Sequence, residues 1–154
     1  MIAVLQRVKN AAVTADGVPT GAICEGLMIL LGVLDGDVEE DARLLAEKIA
    51  KLRIFTDEND KMNLSVNDIG GGVLVVSNFT LAANYAKGNR PDYLNAAHPT
   101  VAEPLYVRFT ELLGERISHV ATGRFGADMQ ISMTADGPVT IVMDSCVLKK
   151  GARV

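Results

Sequence analysis

The first 34 residues contain four strand-like segments with no helical pattern between them. The segments "MIAVLQRV" and "AAVTADGVPTGAI" have high β-propensity, and the second contains the hairpin-turn signal "ADG". The apolar run "LMILLGVL" is typical of a buried strand. Consecutive strands without intervening helices do not fit a doubly wound parallel fold. The sequence therefore predicts an α+β fold or a partly closed antiparallel sheet.

Two helices follow these strands, separated by a further strand. Leucine and isoleucine recur at helical spacing over residues 38–54, where Asp37 and Glu40 fit a capping box. The second helix is expected to begin near Thr100, although Pro104 obscures its start. The intervening strand covers residues 73–80 and follows a triplet of glycines. The last strands are predicted in "SHVATGRF" and "MQISMTADGPVTIVMDS".

Length and charge limit the classes of function. A chain of 154 residues fits one domain, and no apolar run reaches the roughly 18–20 residues of a membrane helix. Cys24 and Cys146 are expected to be free, buried thiols, and no export signal is evident, so we expect a cytoplasmic protein. The net charge of −4 argues against a broad basic face that grips long nucleic acid. Any nucleic acid partner would therefore be held locally.

Three common kinds of site find little support. The two histidines, His98 and His119, do not occur in metal-binding spacings, so no metal site is expected. Ser77 follows a strand but lacks the nucleophile-elbow motif of a serine hydrolase. The segment "IGGGV" at 69–73 leads into a strand, whereas phosphate-binding loops lead into a helix. We interpret it as a turn.

The stretch "SNFT" at 77–80 ends an apolar strand with polar side chains. Either the strand simply emerges into solvent, or these residues form the floor of a pocket. If the strand continues, Ser77 and Phe79 share one face, and Asn78 and Thr80 share the other. In the pocket interpretation, Thr80 and backbone N–H groups near Phe79 meet a small polar ligand, and Phe79 fixes the strand end in the core.

The stretch "ADGPVT" at 135–140 also has two interpretations. Asp136 and Gly137 resemble a two-residue hairpin turn, with Pro138 opening the next strand. Alternatively, the Gly137–Pro138 bond is cis and the turn acts as a rigid backbone probe. The local sequence cannot choose between them, because only about 5–6% of X–Pro bonds are cis.

Together the two stretches resemble the signature of the D-aminoacyl-tRNA deacylase family. The family has Ser-Gln-x-Thr-Leu and Asn-x-Gly-Pro-x-Thr, which stand here as "SNFTL" and "ADGPVT". The likeness covers about residues 1–143. It places a single deacylase domain at residues 1–145 and a C-terminal tail at 146–154. Other similar segments are "QRV" at 6–8, "GLMILLGV" at 26–33, "RIFTDENDKMNLSV" at 53–66, "NRPDY" at 89–93 and "TGRFGADMQIS" at 122–132.

The resemblance implies a homodimeric hydrolase with a barrel-like α+β fold, two main helices and no metal or organic cofactor. Such an enzyme cleaves the ester between a D-amino acid, or glycine, and the 3′-terminal adenosine of tRNA. L-aminoacyl-tRNA is rejected by a Gly–cisPro turn that each subunit inserts into the active site of the other.

The resemblance also assigns roles to residues. The implied catalytic residues are Ser77, Phe79 and Thr80. In one version, the backbone N–H groups of Phe79 and Thr80 are oxyanion donors, and Thr80 holds the substrate or the water. In the alternative that the family implies, the ribose 2′-hydroxyl assists and the protein acts mainly as a frame; we prefer it, because Thr80 has no evident base to activate it. The resemblance implies that Arg7 steadies the turn and that Phe125 and Met129 line the adenosine pocket. The full set of implied substrate-binding residues is Arg7, Asn78, Phe125, Met129, Gly137, Pro138 and Thr140.

Two positions depart from the family pattern. Asn78 stands where the family has glutamine, and Ala135 stands where it has asparagine. A shorter amide can move one hydrogen bond, and the alanine removes another, worth on the order of 1 kcal/mol. Two alternatives follow: a paralogue that acts on another aminoacyl ester or only binds tRNA ends, and a dimeric scaffold without a ligand.

Overall fold

A long strand at each end of the chain organises the fold in the computed structural model, which describes residues 1–149. The strands are β1 (Ile2–Ala15), β2 (Val18–Ile23), β3 (Gly26–Gly32), β4 (Phe55–Thr56), β5 (Met62–Leu64), β6 (Gly72–Ser77), β7 (Val120–Thr122) and β8 (Met129–Asp144). The α-helices of the described residues are α1 (Glu39–Ala50), α2 (Pro99–Gly114) and α3 (Ser145–Leu148), and a 3-10 turn covers Phe79–Ala82. Residues 150–154 of the predicted tail lie outside the described part.

The main sheet has the order β2-β1-β3-β6-β7, and β8 pairs with β1. The first half of β1 pairs with β3 and its second half with β2, while β8 follows it along nearly its whole length. The β3–β6 and β6–β7 pairs are parallel, and the other pairs are antiparallel. The predicted α+β fold with a barrel-like sheet and two main helices is confirmed.

Two strands predicted at the N-terminus are in fact one continuous strand, β1. The "ADG" hairpin was placed correctly, because Asp16 and Gly17 both have positive φ, at 50° and 78°, and connect β1 to β2. The polar connection after α1 also holds a short hairpin of β4 and β5, which the sequence did not indicate.

Two hydrophobic clusters lie on opposite faces of the main sheet. The larger cluster joins α1 and α2 to alternate residues of the sheet, such as Ile29 and Val75. The smaller cluster contains the residues between them, such as Met28 and Leu74. Because β3 and β6 are buried on both faces, their sequences are unbroken apolar runs. These two strands also meet at glycines, since a Cβ on Gly26 would lie 1.8 Å from the carbonyl oxygen of Gly72.

Helix α1 is capped one residue later than predicted. Val38 is its N-cap, and Asp41 rather than Glu40 accepts a hydrogen bond from the Val38 N–H, at 2.9 Å. Asp37 instead accepts from the N–H of Leu34 and from the α-amino group of Met1, both at 2.6 Å. The helix ends at Ala50, four residues before the predicted end.

Helix α2 begins at Pro99, with His98 rather than Thr100 as its N-cap. The His98 ring accepts from the Thr100 N–H at 3.4 Å. Pro104 lies inside the helix, where its ring removes one backbone donor. The packing of Tyr106, Phe109 and Leu113 in the larger cluster maintains the helix around it.

The N-terminus and helix α3 meet at the start of α1. The Met1 amino group contacts Ser145 Oγ at 2.8 Å, and Ser145 Oγ donates to Asp41 Oδ1 at 2.6 Å. Lys149 Nζ lies 2.7 Å from the same carboxylate oxygen. Helix α3 thus crosses the predicted boundary between domain and tail.

The prediction of buried thiols was wrong, because Cys24 and Cys146 are free but exposed. Both occupy ends of elements, where the chain lies at the surface. No helix among residues 1–149 is long and apolar enough to cross a membrane.

Candidate active site

A cavity of about 630 Å³ opens where β6 ends against the start of α2. This volume falls within the range of small-molecule sites, roughly 300–1,000 Å³. The walls are mostly apolar, and the polar side chains are Ser77 and Asn78 at the end of β6 and Tyr93, His98 and Tyr106 before and within α2. The lining residues are Leu31, Val33, Ser77, Asn78, Phe79, Tyr93, Ala96, Ala97, His98, Pro99, Ala102, Tyr106, Phe125, Gly126, Ala127 and Met129.

The polar floor results from an abrupt end of the buried strand. Strand β6 stops at Ser77, and Asn78 caps the 3-10 turn that follows. The side-chain oxygen of Asn78 accepts from both the N–H and the hydroxyl of Thr80. The expected alternation of faces through Thr80 was therefore wrong, because the turn replaces the last strand residues. Ser77 and Asn78 are half-buried, whereas Thr80 is exposed outside the lining of the cavity.

Phe79 lies at the rim of the cavity and not in the core. Its side chain is 60% exposed and packs edge-on against Tyr93, with ring centroids 5.1 Å apart. The prediction that Phe79 fixes the strand end in the core was wrong, because the 3-10 turn points it away from β6. Within the described residues no acceptor faces the Phe79 N–H, which leaves this donor available to a ligand.

The opposite wall contains Phe125 and Met129, both half-buried. The Phe125 ring packs against Tyr106 at a centroid distance of 5.8 Å. The Tyr106 hydroxyl donates to the Val75 carbonyl at 2.9 Å, and burial raises the pKa of this phenol to about 12. Tyr106 therefore stays neutral at physiological pH and acts as a fixed support.

The stretch "DGPV" forms a bulge within β8 and not a hairpin. Gln6 pairs with Thr140 and Val8 pairs with Ala135, so residues 136–139 lie opposite Arg7 alone. The hairpin interpretation was wrong, because the chain resumes the same strand pairing beyond the bulge. The Gly137–Pro138 peptide bond is cis. Gly137 and Pro138 are exposed.

Arg7 holds one side of the bulge from beneath. It is 8% exposed, its Nε lies 2.9 Å from Asp136 Oδ2, and one Nη donates to the Ile54 carbonyl at 2.8 Å. A buried guanidinium needs such partners, since an unpaired buried charge is costly. Lys9 adds a second, weaker contact to the same Asp136 oxygen at 3.5 Å.

Gln6 holds the other side of the bulge. Its Nε2 donates to the Val139 carbonyl at 3.2 Å, and its Oε1 accepts from the Thr140 hydroxyl. The bulge is thus fixed at both ends while its middle is exposed. Arg7 and Thr140 were predicted from the sequence, whereas the contacts of Gln6 were not, although Gln6 opens the "QRV" segment that resembles the family.

Nine of the ten predicted residues fall into two groups within one protomer, and Thr80 belongs to neither. Ser77, Asn78, Phe79, Phe125 and Met129 all line the cavity. In the described part of the chain, none of the predicted residues on or beneath the bulge lines the cavity. Those four residues are Arg7, Gly137, Pro138 and Thr140.

Several cavity residues were not predicted. Tyr93, His98 and Tyr106 come from the connection before α2 and from its first turns. The small-residue run "NAAHP" before a helix start was an available signal, because small side chains leave space beside a helix N-terminus. Among residues 1–149 no group of three or more metal-binding side chains is found.

Comparisons with known proteins agree over nearly the whole chain. A family model described as D-Tyr-tRNA(Tyr) deacylase matches residues 4–144. A protein of Halalkalibacterium halodurans named D-aminoacyl-tRNA deacylase is 53% identical over 145 residues, covering 94% of this chain and 99% of its own. One of Thermus aquaticus with the same name is 54% identical over 145 residues, covering 94% and 95% of the two chains.

Two solved structures share the fold. One is described as the c-Myc DNA Unwinding Element Binding Protein, with 40% identity, a TM-score of 0.87 and coverage of 94% of this chain and 98% of its own. The other is described as a probable eukaryotic D-amino acid tRNA deacylase, with 18% identity, a TM-score of 0.79 and coverage of 93% and 98%. At 18% identity, the second comparison supports the fold alone.

Proposed function

The chain belongs to the D-Tyr-tRNA(Tyr) deacylase family, and from this premise we propose that it hydrolyses D-aminoacyl-tRNA. The bond cleaved is the ester between a D-amino acid, or mischarged glycine, and the 3′-terminal adenosine. The observation that carries the proposal is the cavity, which collects five residues of the family motifs and their surroundings in one place. No cofactor is required for this reaction.

The adenosine is assigned to the wall formed by Phe125 and Met129. A half-buried aromatic ring and a polarizable thioether suit the flat face of a base. Phe125 is held in place by Tyr106, which is itself fixed by its bond to Val75. The aminoacyl group then extends toward the polar floor, where the Ser77 hydroxyl and the Asn78 amide can contact it.

Hydrolysis relies on positioning and oxyanion stabilisation, because the substrate ester is already activated. Water attacks the ester carbonyl, the new carbon–oxygen bond forms, and the bond to the ribose 3′-oxygen breaks. The proton released by the water goes to that leaving oxygen, assisted by the neighbouring 2′-hydroxyl. The Phe79 N–H, which has no acceptor among the described residues, is the first oxyanion donor.

Thr80 acts as a positioning group and a second donor, not as a nucleophile. Its hydroxyl donates to the Asn78 amide oxygen, which cannot accept a proton as a general base. Its N–H donates to the same oxygen at 3.2 Å and would exchange that bond for the oxyanion. The departure to asparagine at position 78 is compatible with this role, because the short side chain reaches back to Thr80.

Rejection of L-amino acids is assigned to the Gly137–Pro138 turn of a second subunit in a homodimer. The turn is exposed, it is fixed at both ends, and it lies outside the cavity of its own protomer. These three properties suit a rigid probe that enters a neighbouring cavity. Main-chain oxygens of the turn would occupy the space that an L side chain needs.

The anchoring of Asp136 compensates for the alanine at position 135. Ala135 lacks the side-chain hydrogen bond that the family asparagine supplies, but Asp136 pairs with Arg7 and Lys9. The contact with Arg7 is an ion pair at 2.9 Å, and because Arg7 is nearly buried, salt screens this pair less than it screens a surface pair. We further assign residues 1–145 to one deacylase domain, residues 146–154 to a tail, and the protein to the cytoplasm.

Incubation with charged tRNA tests the proposal. D-tyrosyl-tRNA should release free D-tyrosine, whereas L-tyrosyl-tRNA should stay intact under the same conditions. Equal turnover of the two enantiomers would contradict the proposed rejection of L-aminoacyl-tRNA. Because Asn78 and Ala135 depart from the family, a panel of other charged tRNAs belongs in the same experiment. Binding without hydrolysis across the panel would favour a tRNA-end binding module.

A further inference from the structure

A closed surface loop, residues 84–92, projects beside the mouth of the cavity. Its two ends are joined by backbone hydrogen bonds in both directions between Asn84 and Asp92, at 2.9 and 3.0 Å. The Asn84 side chain also donates to the Asp92 carboxylate at 3.2 Å. Tyr93 follows the loop directly and packs on Phe79 at the cavity rim. The loop is therefore tied to the site at its base.

The loop carries one aromatic ring and two cations into solvent. Tyr85 is 79% exposed, and Lys87 and Arg90 are exposed as well. The only acidic residue between positions 84 and 98 is Asp92, whose carboxylate is engaged by Asn84 and by the Leu94 N–H. An exposed aromatic ring close in sequence to two cations suits the binding of single-stranded nucleic acid without sequence readout.

Among the arginines of residues 1–149, Arg90 stands out because most of the others are already paired, and Lys87 lies three residues before it. Within residues 1–149 those in ion pairs are Arg7, Arg43, Arg108, Arg116 and Arg124. Arg53 donates to the Asn63 carbonyl at 2.7 Å. Neither Arg90 nor Lys87 has an ion-pair or hydrogen-bond partner within that range, so both charges are available to an external anion.

We propose that the 84–92 loop binds the nucleotides immediately before the terminal adenosine of the RNA substrate. Tyr85 stacks on a base, and Lys87 and Arg90 contact phosphates. This inference rests on the proposed function, which places the adenosine inside the cavity. It explains how a protein of net charge −4 holds a polyanion: a small local patch suffices for a single-stranded end.

The first test compares a substrate that has the nucleotides before the terminal adenosine with one that lacks them. D-tyrosyl-tRNA offers the loop its phosphates and bases, whereas D-tyrosyl-adenosine offers neither. The Lys87→Ala/Arg90→Ala double variant should lose roughly tenfold in kcat/KM on the tRNA and nothing on the adenosine ester. The salt dependence of kcat/KM on tRNA should become shallower by about 0.7 for each lost phosphate contact.

The matched control is Lys48→Ala/Lys51→Ala, which removes the same charge. Both lysines are exposed at the end of α1, without an ion-pair partner in the described residues. This variant should keep the salt dependence of the parent. Tyr85→Ala should lower kcat/KM on tRNA by roughly tenfold, and Tyr85→Phe should retain it, since stacking needs the ring and not the hydroxyl.

The outcomes separate this inference from the proposed function. If the parent hydrolyses D-tyrosyl-tRNA but the loop variants match it in rate and salt dependence, the inference is overturned and the function stands. Equal losses on both substrates also overturn it, because the loop would then act on the cavity. If the parent hydrolyses neither substrate, fluorescence anisotropy of a labelled RNA ending in CCA measures binding directly. An affinity that is the same in the parent and in the Lys87→Ala/Arg90→Ala variant would then overturn the proposal that the loop binds RNA.

Discussion

The Nε atom of Arg7 lies 2.9 Å from Oδ2 of Asp136, which begins the bulge facing Arg7 across the sheet. Arg7 is nearly buried, and it also donates to the Ile54 carbonyl. The pair therefore ties the exposed Gly137–Pro138 turn to the body of the protein. Any function that depends on a rigid turn depends on this contact.

Replacing the Asp136 carboxylate should weaken chiral rejection, and it should also lower stability because Arg7 loses its counter-ion. In Asp136→Asn we expect the ratio of L- to D-tyrosyl-tRNA turnover to rise roughly tenfold, because the ion pair that ties the turn to the nearly buried Arg7 is lost. The measurement is the initial deacylation rate on each enantiomer. Glu25→Gln, which breaks the exposed pair with Lys9, should leave the ratio unchanged. A D136N enzyme that stays fully selective would refute the anchoring role.

Removing the Asn78 side chain should impair catalysis at little cost in stability. Asn78→Ala deletes the acceptor that holds the Thr80 N–H and hydroxyl. Catalytic groups need close positioning, so we expect kcat to fall at least about tenfold while the melting temperature changes little. Asp57→Ala is the control, since it deletes a similar turn acceptor outside the cavity. Equal activity in N78A and the parent would contradict the assignment of Thr80.

Adding a methyl group at Gly137 should disturb the turn sterically. Gly137 has φ of 118°, and a Cβ there would lie 2.7 Å from the Val139 nitrogen. Gly36→Ala provides the control, because Gly36 also has positive φ, at 83°, but open space around it. Both variants pay a backbone cost of about 1–2 kcal/mol. Only Gly137→Ala should reduce the D-over-L preference, and loss of preference in both variants would point to general destabilisation.

The cluster of Met1, Asp41, Ser145 and Lys149 should make the free energy of unfolding fall at acid pH. Burial raises the pKa of Asp41, but hydrogen bonds from Lys149 and Ser145 outweigh it, so the folded-state pKa lies below the usual value. The stability from this group is therefore fully present above the unfolded pKa of about 3.9 and is lost as the pH falls through the lower folded value.

Asp41→Asn should thus lower the melting temperature at neutral pH. Below about pH 4 the melting temperatures of the variant and the parent should converge. The measurement is thermal unfolding across a pH series. Asp60→Asn is the matched control, because Asp60 is exposed and its φ of 58° suits asparagine equally well. Its melting temperature should follow that of the parent across the pH series. A constant difference between D41N and the parent at every pH would show that Asp41 contributes packing and not charge.

The sequence by itself determined the fold class, both main helices, the Asp16–Gly17 turn and the residues that end β6. These features follow from local physics: apolar periodicity, turn residues with positive φ, and runs of apolar residues that need burial on both faces. The family motifs also pointed to Ser77, Asn78, Phe79, Phe125 and Met129, which the fold brings together at one cavity.

Only the tertiary structure decided how the local signals were used. Asp136 and Gly137 have the composition of a hairpin turn, yet pairing with β1 on both sides makes them a bulge. Asp37 has the position of a helix cap, yet its carboxylate accepts a hydrogen bond from the Met1 amino group instead. In both cases the deciding partner lies more than thirty residues away in the sequence. A short segment allows one side chain several hydrogen bonds of similar energy. Only the folded chain brings one particular partner within reach.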